Sequence, residues 1–227
     1  MAALKRSSSR LHILSTWIGP LVVGVLTAGC SDYFRPAVPE PPSGDPVVLD
    51  YSSPEATLVT LALGLADKAT TNGEFAYLGA FADSTNAETP GFHQFFDPAV
   101  VVLWQETFGR TAPSDWGLPL ERNFYAYLIG LQGDPYGIVW EVNDQLPDPQ
   151  PEANKVELNR KYRVEAISED GNSRTIIAVG LAHLTFRLTA SGEWLIVRWD
   201  DGVDPAFGLN PANPDEITLG ARRLESQ

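Results

Sequence analysis

The sequence predicts an α+β fold, with helices first and an antiparallel sheet after them. Three observations carry this. Between Ser53 and Leu131, apolar residues recur at helical spacing behind capping and proline signals. From Tyr136 onward the apolar period changes to two. The runs so marked are separated by Glu169-Asp170-Gly171-Asn172 and Ala190-Ser191-Gly192, turn sequences of the kind that join antiparallel neighbours.

The elements follow in order. Ser53-Pro54-Glu55 starts a helix, with serine as N-cap, proline at the first helical position and an acid in the positive first turn. Leu58, Leu61, Ala62 and Leu65 give it one apolar face, and Asn72-Gly73 reads as its stop. A second short helix carries Phe75, Leu78 and Phe81 on one face. Gly91 to Pro98 reads as a short strand ended by a turn. Val100 to Phe108 is a compact apolar helix, and Pro119 to Leu131 is another, rich in aromatics (Phe124, Tyr125, Tyr127). Tyr136, Ile138, Trp140 and Val142 then alternate as a strand. The next strand has Val156, Leu158, Arg160, Tyr162 and Val164 on one face and charged or amide side chains on the other. Arg174 to Thr189 and Glu193 to Asp200 follow. The last of these, apolar on both faces apart from Arg198, is expected to be central and covered. Gly180 permits a bend or bulge in a long curved sheet. The stretch from Pro214 to Leu224 stays open between a short helix and an edge strand.

The first 50 residues have a different character. Lys5, Arg6 and Arg10 precede an uncharged apolar run from Ile13 to Leu26, and Ala28-Gly29 lead into Cys30, the chain's one cysteine. This is the layout of an export signal. The run is shorter than the about 20 residues that span a bilayer core, and Pro20 and Gly24 interrupt it. A retained anchor or a plain secretion signal are the alternatives. Leu26-Thr27-Ala28-Gly29-Cys30 resembles the lipobox of bacterial lipoproteins, with Thr27 where that family usually has Leu, Val or Ile. The resemblance implies removal of residues 1–29 and attachment of acyl chains to Cys30. Ser31, rather than Asp, after the cysteine implies the outer membrane by enterobacterial sorting rules. Residues 30–50 hold several prolines and read as a tether, and 51–227 as the folded domain.

Composition narrows the function classes. The chain has 227 residues and a net charge of −13. Loss of the three basic residues of the signal leaves 13 basic against 29 acidic side chains, a net charge of about −16. Nucleic acid and anionic membrane surfaces repel such a chain. Attachment to a membrane is therefore expected through N-terminal acyl chains, not through a basic patch. One cysteine allows no internal disulfide, so the domain depends on its core.

The start Ser53-Pro54-Glu55-Ala56, the Leu78–Asp83 helix end, Phe95-Phe96-Asp97-Pro98, Tyr162–Glu165, Leu184–Arg187 and Gly192–Asp201 together resemble the nuclear-transport-factor-2-like (NTF2-like, SnoaL-like) fold. The resemblance covers about Ser53 to Asp201. It implies a cystatin-like roll: a cone-shaped, strongly curved antiparallel sheet packed on N-terminal helices, with an apolar pocket at its mouth. It also implies relatives that are isomerases, dehydratases, cyclases or non-catalytic binding domains, often paired through the convex faces of their sheets. It assigns no role to the loop Gln145 to Asn154.

An isomerase or dehydratase needs a base beside an apolar pocket and a donor for the developing oxyanion. Asp83 as base and Tyr77 as donor are the candidates, with the simpler alternatives of a turn acid and a packing tyrosine. Trp140, Tyr162, Arg198 and Asp200 are the candidate ligand-pocket residues. Arg198 is expected to pair with a carboxylate such as Glu165, or to serve a bound carboxylate or a partner. Asp200-Asp201-Gly202 reads otherwise as a solvated turn. His93 and His183 lie in different elements without the ligand spacing of a zinc site, so no metal or other cofactor is expected. The sequence thus favours an envelope lipoprotein whose domain binds a small apolar ligand or a protein partner. A pocket enzyme and a homodimerisation module are the alternatives.

Overall fold

The computed structural model describes residues 48–85, 89–131, 135–168, 172–210, 213 and 216–227. Cys30, the export signal, the tether up to residue 47 and Glu169-Asp170-Gly171 lie outside the described residues.

Helix α1 (Pro54–Ala66) begins as its sequence dictates. Ser53 Oγ accepts from Ala56 N at 3.1 Å, Pro54 opens the helix, and Leu58, Leu61 and Leu65 are buried. Its end differs from expectation. The helix stops at Ala66, and Gly73 lies inside α2 (Thr71–Gly79), which Thr70 caps. Gly73 serves close packing: a Cβ there would run into the Asp67 carbonyl and lie 3.0 Å from Gly64 O. The two helices cross backbone to backbone at this point. The expected face of α2 also changes, because Phe75 is 63 % exposed while Ala76, Tyr77 and Leu78 are buried.

Strand β1 (His93–Phe95) is short, and Asp97 turns the chain into α3 (Pro98–Phe108) by accepting from Ala99 N at 2.8 Å. Only Val100 and Trp104 of α3 are buried. Helix α4 (Leu118–Gly130) buries Glu121, Phe124, Tyr125 and Leu128, an i, i+3, i+4, i+7 stripe that contains an acid.

Strands β2 (Tyr136–Val142), β3 (Lys155–Ile167), β4 (Arg174–Leu188) and β5 (Trp194–Gly202) form an antiparallel meander. Strand β1 joins the far edge parallel to β5, His93 facing Arg198, so the five-stranded sheet has the order β1-β5-β4-β3-β2 and one parallel pair. Its class is α+β, with the helices against one face. That inner face carries Leu158, Tyr162, Val164, Ala178, Leu184, Phe186, Ile196 and Trp199, all buried. Two register shifts bend the sheet, one at Val164/Glu165 in the β3–β4 ladder and one at Thr185/Phe186 in the β4–β5 ladder. Gly180, read as permitting a bend or bulge, hosts no bulge in the β3–β4 ladder and pairs regularly with Tyr162. A Cβ at Gly180 would sit 2.5 Å from the Tyr162 hydroxyl, so glycine makes room for that ring.

The C-terminal segment resolves as a helix, α5 (Leu219–Glu225), capped by the Thr218 hydroxyl. The loop at Gln145 to Asn154 is pinned to β3. Asp148 Oδ1 accepts from Asn159 N at 2.6 Å, and both its oxygens accept from Arg160 Nη1 at 2.8 Å. Pro46–Gln227 forms one compact unit with its own core. No described helix is long and apolar enough to cross a membrane.

The α1–α2 crossing yields a test. Helix propensity alone makes Gly→Ala favourable by about 1 kcal/mol. Gly73→Ala is expected to lower the unfolding free energy instead, by about 1–3 kcal/mol, because overpacking against backbone cannot relax. Urea denaturation measures the sign, and a stabilised variant would mean the crossing is loose.

Candidate functional site

The centre of the inner face is taken up by a buried charged network. Arg223 of α5 donates Nε to Glu121 Oε2 and Nη2 to Glu121 Oε1, both at 2.8 Å, and both side chains are 0 % exposed. The same carboxylate accepts from the Tyr77 hydroxyl at 2.5 Å and from Trp116 Nε1 at 2.8 Å. The Arg223 guanidinium lies 4.4 Å from the Trp199 ring centroid and 5.2 Å from that of Phe124. Burial opposes its charge, but Glu121 beside it more than compensates and raises its pKa.

A second carboxylate holds the start of the same helix. Asp201 accepts from the Tyr162 hydroxyl at 2.6 Å and from Gly220 N at 2.9 Å, and Tyr162 in turn accepts from Leu219 N at 2.8 Å. A Cβ at Gly220 would meet Asp201 Oδ2 at 2.5 Å, so glycine permits this contact. Trp140 and Trp199 close the cluster around Tyr162, with ring centroids 5.7–6.1 Å apart. Burial pushes the Tyr77 and Tyr162 hydroxyls well above their ordinary pKa, and the adjacent carboxylates push further in the same direction.

The structure distributes the sequence-predicted residues over three places. Tyr77 is buried, and its hydroxyl is committed to Glu121. Asp83 is exposed, and its Oδ1 accepts from Thr85 N at 2.9 Å, a turn contact. The two do not meet. Trp140 and Tyr162 belong to the inner cluster, whereas Arg198 and Asp200 project from the opposite face and bond to each other. Arg198 Nε and Nη2 reach Asp200 at 2.8–3.0 Å. Arg198 is therefore half-exposed and paired within its own strand, not with Glu165, which takes Arg163 and Arg174. Asp201, read with Asp200 as a solvated turn, is a buried strand residue, because β5 continues to Gly202.

The outer face carries an open groove of about 590 Å³. Its lining includes Phe95, Lys155, Glu157, His183, Arg187 and Arg198. The register arranges these in rows: Asp200 faces His183, Arg198 faces Thr185, Thr185 faces Glu157, and Arg187 faces Lys155. Glu157 is ion-paired with Lys155, whose hydrogen bond holds its carboxyl below the ordinary value. His183 Nδ1 lies 2.7 Å from Asn159 Oδ1, and His93 Nδ1 lies 2.9 Å from Asp115 Oδ1. Among the described residues no three His, Cys, Asp or Glu side chains are grouped to hold a metal ion. Sequence reasoning missed Glu121, Arg223, Asp201 and Arg187. The one available signal was the acid at Glu121, in phase with an apolar stripe.

No family model and no curated protein matches this chain. Solved structures are similar to it. A substituted form of a protein of unknown function from Mycobacterium tuberculosis is 13 % identical, with 76 % of this chain and 85 % of that one covered and a TM-score of 0.48. An NTF2-like protein with a cystatin-like fold from Novosphingobium aromaticivorans is 11 % identical over 64 % and 75 %, TM-score 0.42. A ketosteroid isomerase-like protein from Erwinia carotovora atroseptica is 15 % identical over 66 % and 94 %, TM-score 0.39.

Two tests follow from the inner network. Arg223→Met leaves Glu121 buried without its cation and is expected to cost about 3–5 kcal/mol. Adding Glu121→Gln should recover most of that loss in urea denaturation, and a cost under about 1 kcal/mol for the single variant would show the pair to be dispensable. Asp201 supplies the second. Burial raises its carboxyl above the ordinary 3.8, outweighing the hydrogen bonds and the Arg223 charge that lower it. The folded state thus holds this proton more tightly than the unfolded one. That stabilisation is complete below pH of about 4 and is lost as pH rises through the folded value. Asp201→Asn removes the titration, so the stability of the parent relative to this variant should fall as pH rises from about 4. A difference that is flat or rising with pH would refute the assignment.

Proposed function

We propose that this chain is an envelope lipoprotein, anchored through acylated Cys30, whose domain is a non-catalytic binding module of the nuclear-transport-factor-2-like type. We infer further that it binds through the outer face of its sheet. The observation that carries this is the Glu121–Arg223 pair, 0 % exposed on both sides, at the centre of the inner face. A pocket enzyme would need reactive groups there that substrate can reach. Tyr77 is committed to Glu121, and Asp83 faces solvent at a turn. The open groove on the other face supplies side chains of both charges and an exposed aromatic, Phe95.

The anchor is supported by the Lys5–Arg10 basic start, the apolar run and Ala28-Gly29-Cys30. Two or more acyl chains suffice for stable membrane attachment, as a strongly acidic protein requires. Homodimerisation would use the same outer face, where both signs of charge can pair across a two-fold axis.

Mass spectrometry of the detergent-extracted mature protein is the decisive measurement. The expected species begins at Cys30 and carries a thioether-linked diacylglycerol. A mature chain that starts elsewhere, or an unmodified Cys30, overturns the anchoring. Size exclusion of the acyl-free domain at micromolar concentration separates a monomeric binding module from a dimer.

A further inference from the structure

We propose that the outer groove is a receptor for an amphiphilic acid, its carboxylate held by Arg187 and Thr185 and its apolar body laid against Phe95 and Pro90. This rests on the reading of the outer face as the binding surface and specifies the ligand class.

Most of the charges in the groove are already matched. Lys155 is ion-paired with Glu157, and Arg198 makes three hydrogen bonds to Asp200. Both acids of the groove are thereby neutralised by cations of the same groove. Arg187 differs. Its side chain contacts a neutral group, Asn154 Oδ1, at 3.3 Å, and no carboxylate of the described residues lies within ion-pair distance of it. Thr185 lies two residues away on the same face of β4. It is 7 % exposed, lines the groove, and its hydroxyl makes no hydrogen bond to a described residue. A guanidinium and a hydroxyl at successive groove-facing positions of one strand, neither bonded to an acid, form a donor site for an anion, and hydrogen bonds to a charged acceptor are about twice as strong as neutral ones. A cationic remainder is also unexpected in a chain with a net charge of −13.

The rest of the groove decides what the acid is attached to. On the β1 side the lining is apolar at Pro90, Phe95 and Val197. Phe95 is 46 % exposed and has the Arg198 guanidinium 4.1 Å from its ring centroid. That contact leaves part of the ring open and fixes its position. The volume of about 590 Å³ suits one small molecule. One unmatched guanidinium fits a monoanion better than a phosphate dianion, because Lys155 and Arg198 are engaged.

The test uses the compact unit Pro46–Gln227, with octanoate, 1-octanol and inorganic phosphate as probes. Amide chemical shifts report where each binds. Octanoate is expected to shift signals along the outer-face residues of β4 and β5, with 1-octanol at least ten-fold weaker. Arg187→Gln and Thr185→Val should each weaken octanoate by about ten-fold while leaving the remaining spectrum unchanged. Equal binding of octanol and octanoate on the outer face overturns the acid specificity and leaves the binding surface standing. Tighter binding of inorganic phosphate at the same signals overturns the amphiphile in favour of a free anion. Octanoate shifts confined to inner-face residues overturn both the ligand class and the outer-face reading. The absence of any octanoate shift at soluble concentrations overturns the proposal.

Discussion

The carboxylate of Glu121 organises the interior of this domain. It accepts four hydrogen bonds, from Tyr77 of α2, from Trp116 before α4, and twice from Arg223 of α5. Three separate segments are thereby fixed to one point on α4. Removing an ion pair from water costs several kcal/mol per ion. A buried pair is therefore weak evidence of net stability and better evidence of specificity. Other arrangements of α5 would leave Glu121 buried without a cation. The seven-residue α5 is too short to persist alone, so it exists because Glu121 and Asp201 hold it at both ends.

This constraint has a consequence for function. A sheet packed on helices can enclose a ligand between the two layers, but here that centre is occupied by the protein's own guanidinium, two carboxylates and the rings of Trp199, Tyr162 and Trp140. Surface that is free to engage a partner then lies on the other side of the same strands. The charges there are different in kind. They are partly exposed, paired in high dielectric and individually worth little, whereas breaking the inner pair would leave a buried charge unmatched.

Much of the fold was legible because its signals are local. Ser53-Pro54-Glu55 encodes a helix start in three residues, and the alternation from Val156 to Val164 encodes both a strand and its faces. The misread features depend on distant contacts. Asn72-Gly73 reads as a helix stop because glycine tolerates positive φ, yet glycine is required at 73 by the Asp67 carbonyl just past the end of α1. Arg223 sits in Leu-Gly-Ala-Arg-Arg-Leu-Glu, where two adjacent arginines read as solvated, and its partner is 102 residues away. Glu121 could have been flagged as an acid on an apolar stripe, but no sequence pattern names the cation that meets it.

Strand β5 shows why the candidate site in particular was hard to read. Side chains alternate along a strand, so Ile196 and Trp199, three apart, should face opposite sides. Both are buried on the inner face. The irregularity that pairs Phe186 with Ile196 and Thr185 with Arg198 inserts Val197 and resets the phase. In Leu195-Ile196-Val197 every residue is apolar, and a phase slip inside a uniformly apolar run leaves no trace in the pattern. The same insertion sends Trp199 and Asp201 inward, Asp201 to its bonds with Tyr162 and Gly220, and sets Val197, Arg198 and Asp200 in the outer groove. Without it Arg198 would point at the core and Trp199 at solvent. One inserted residue therefore fixes the chemistry of both faces, and any account of the groove has to carry the buried network with it.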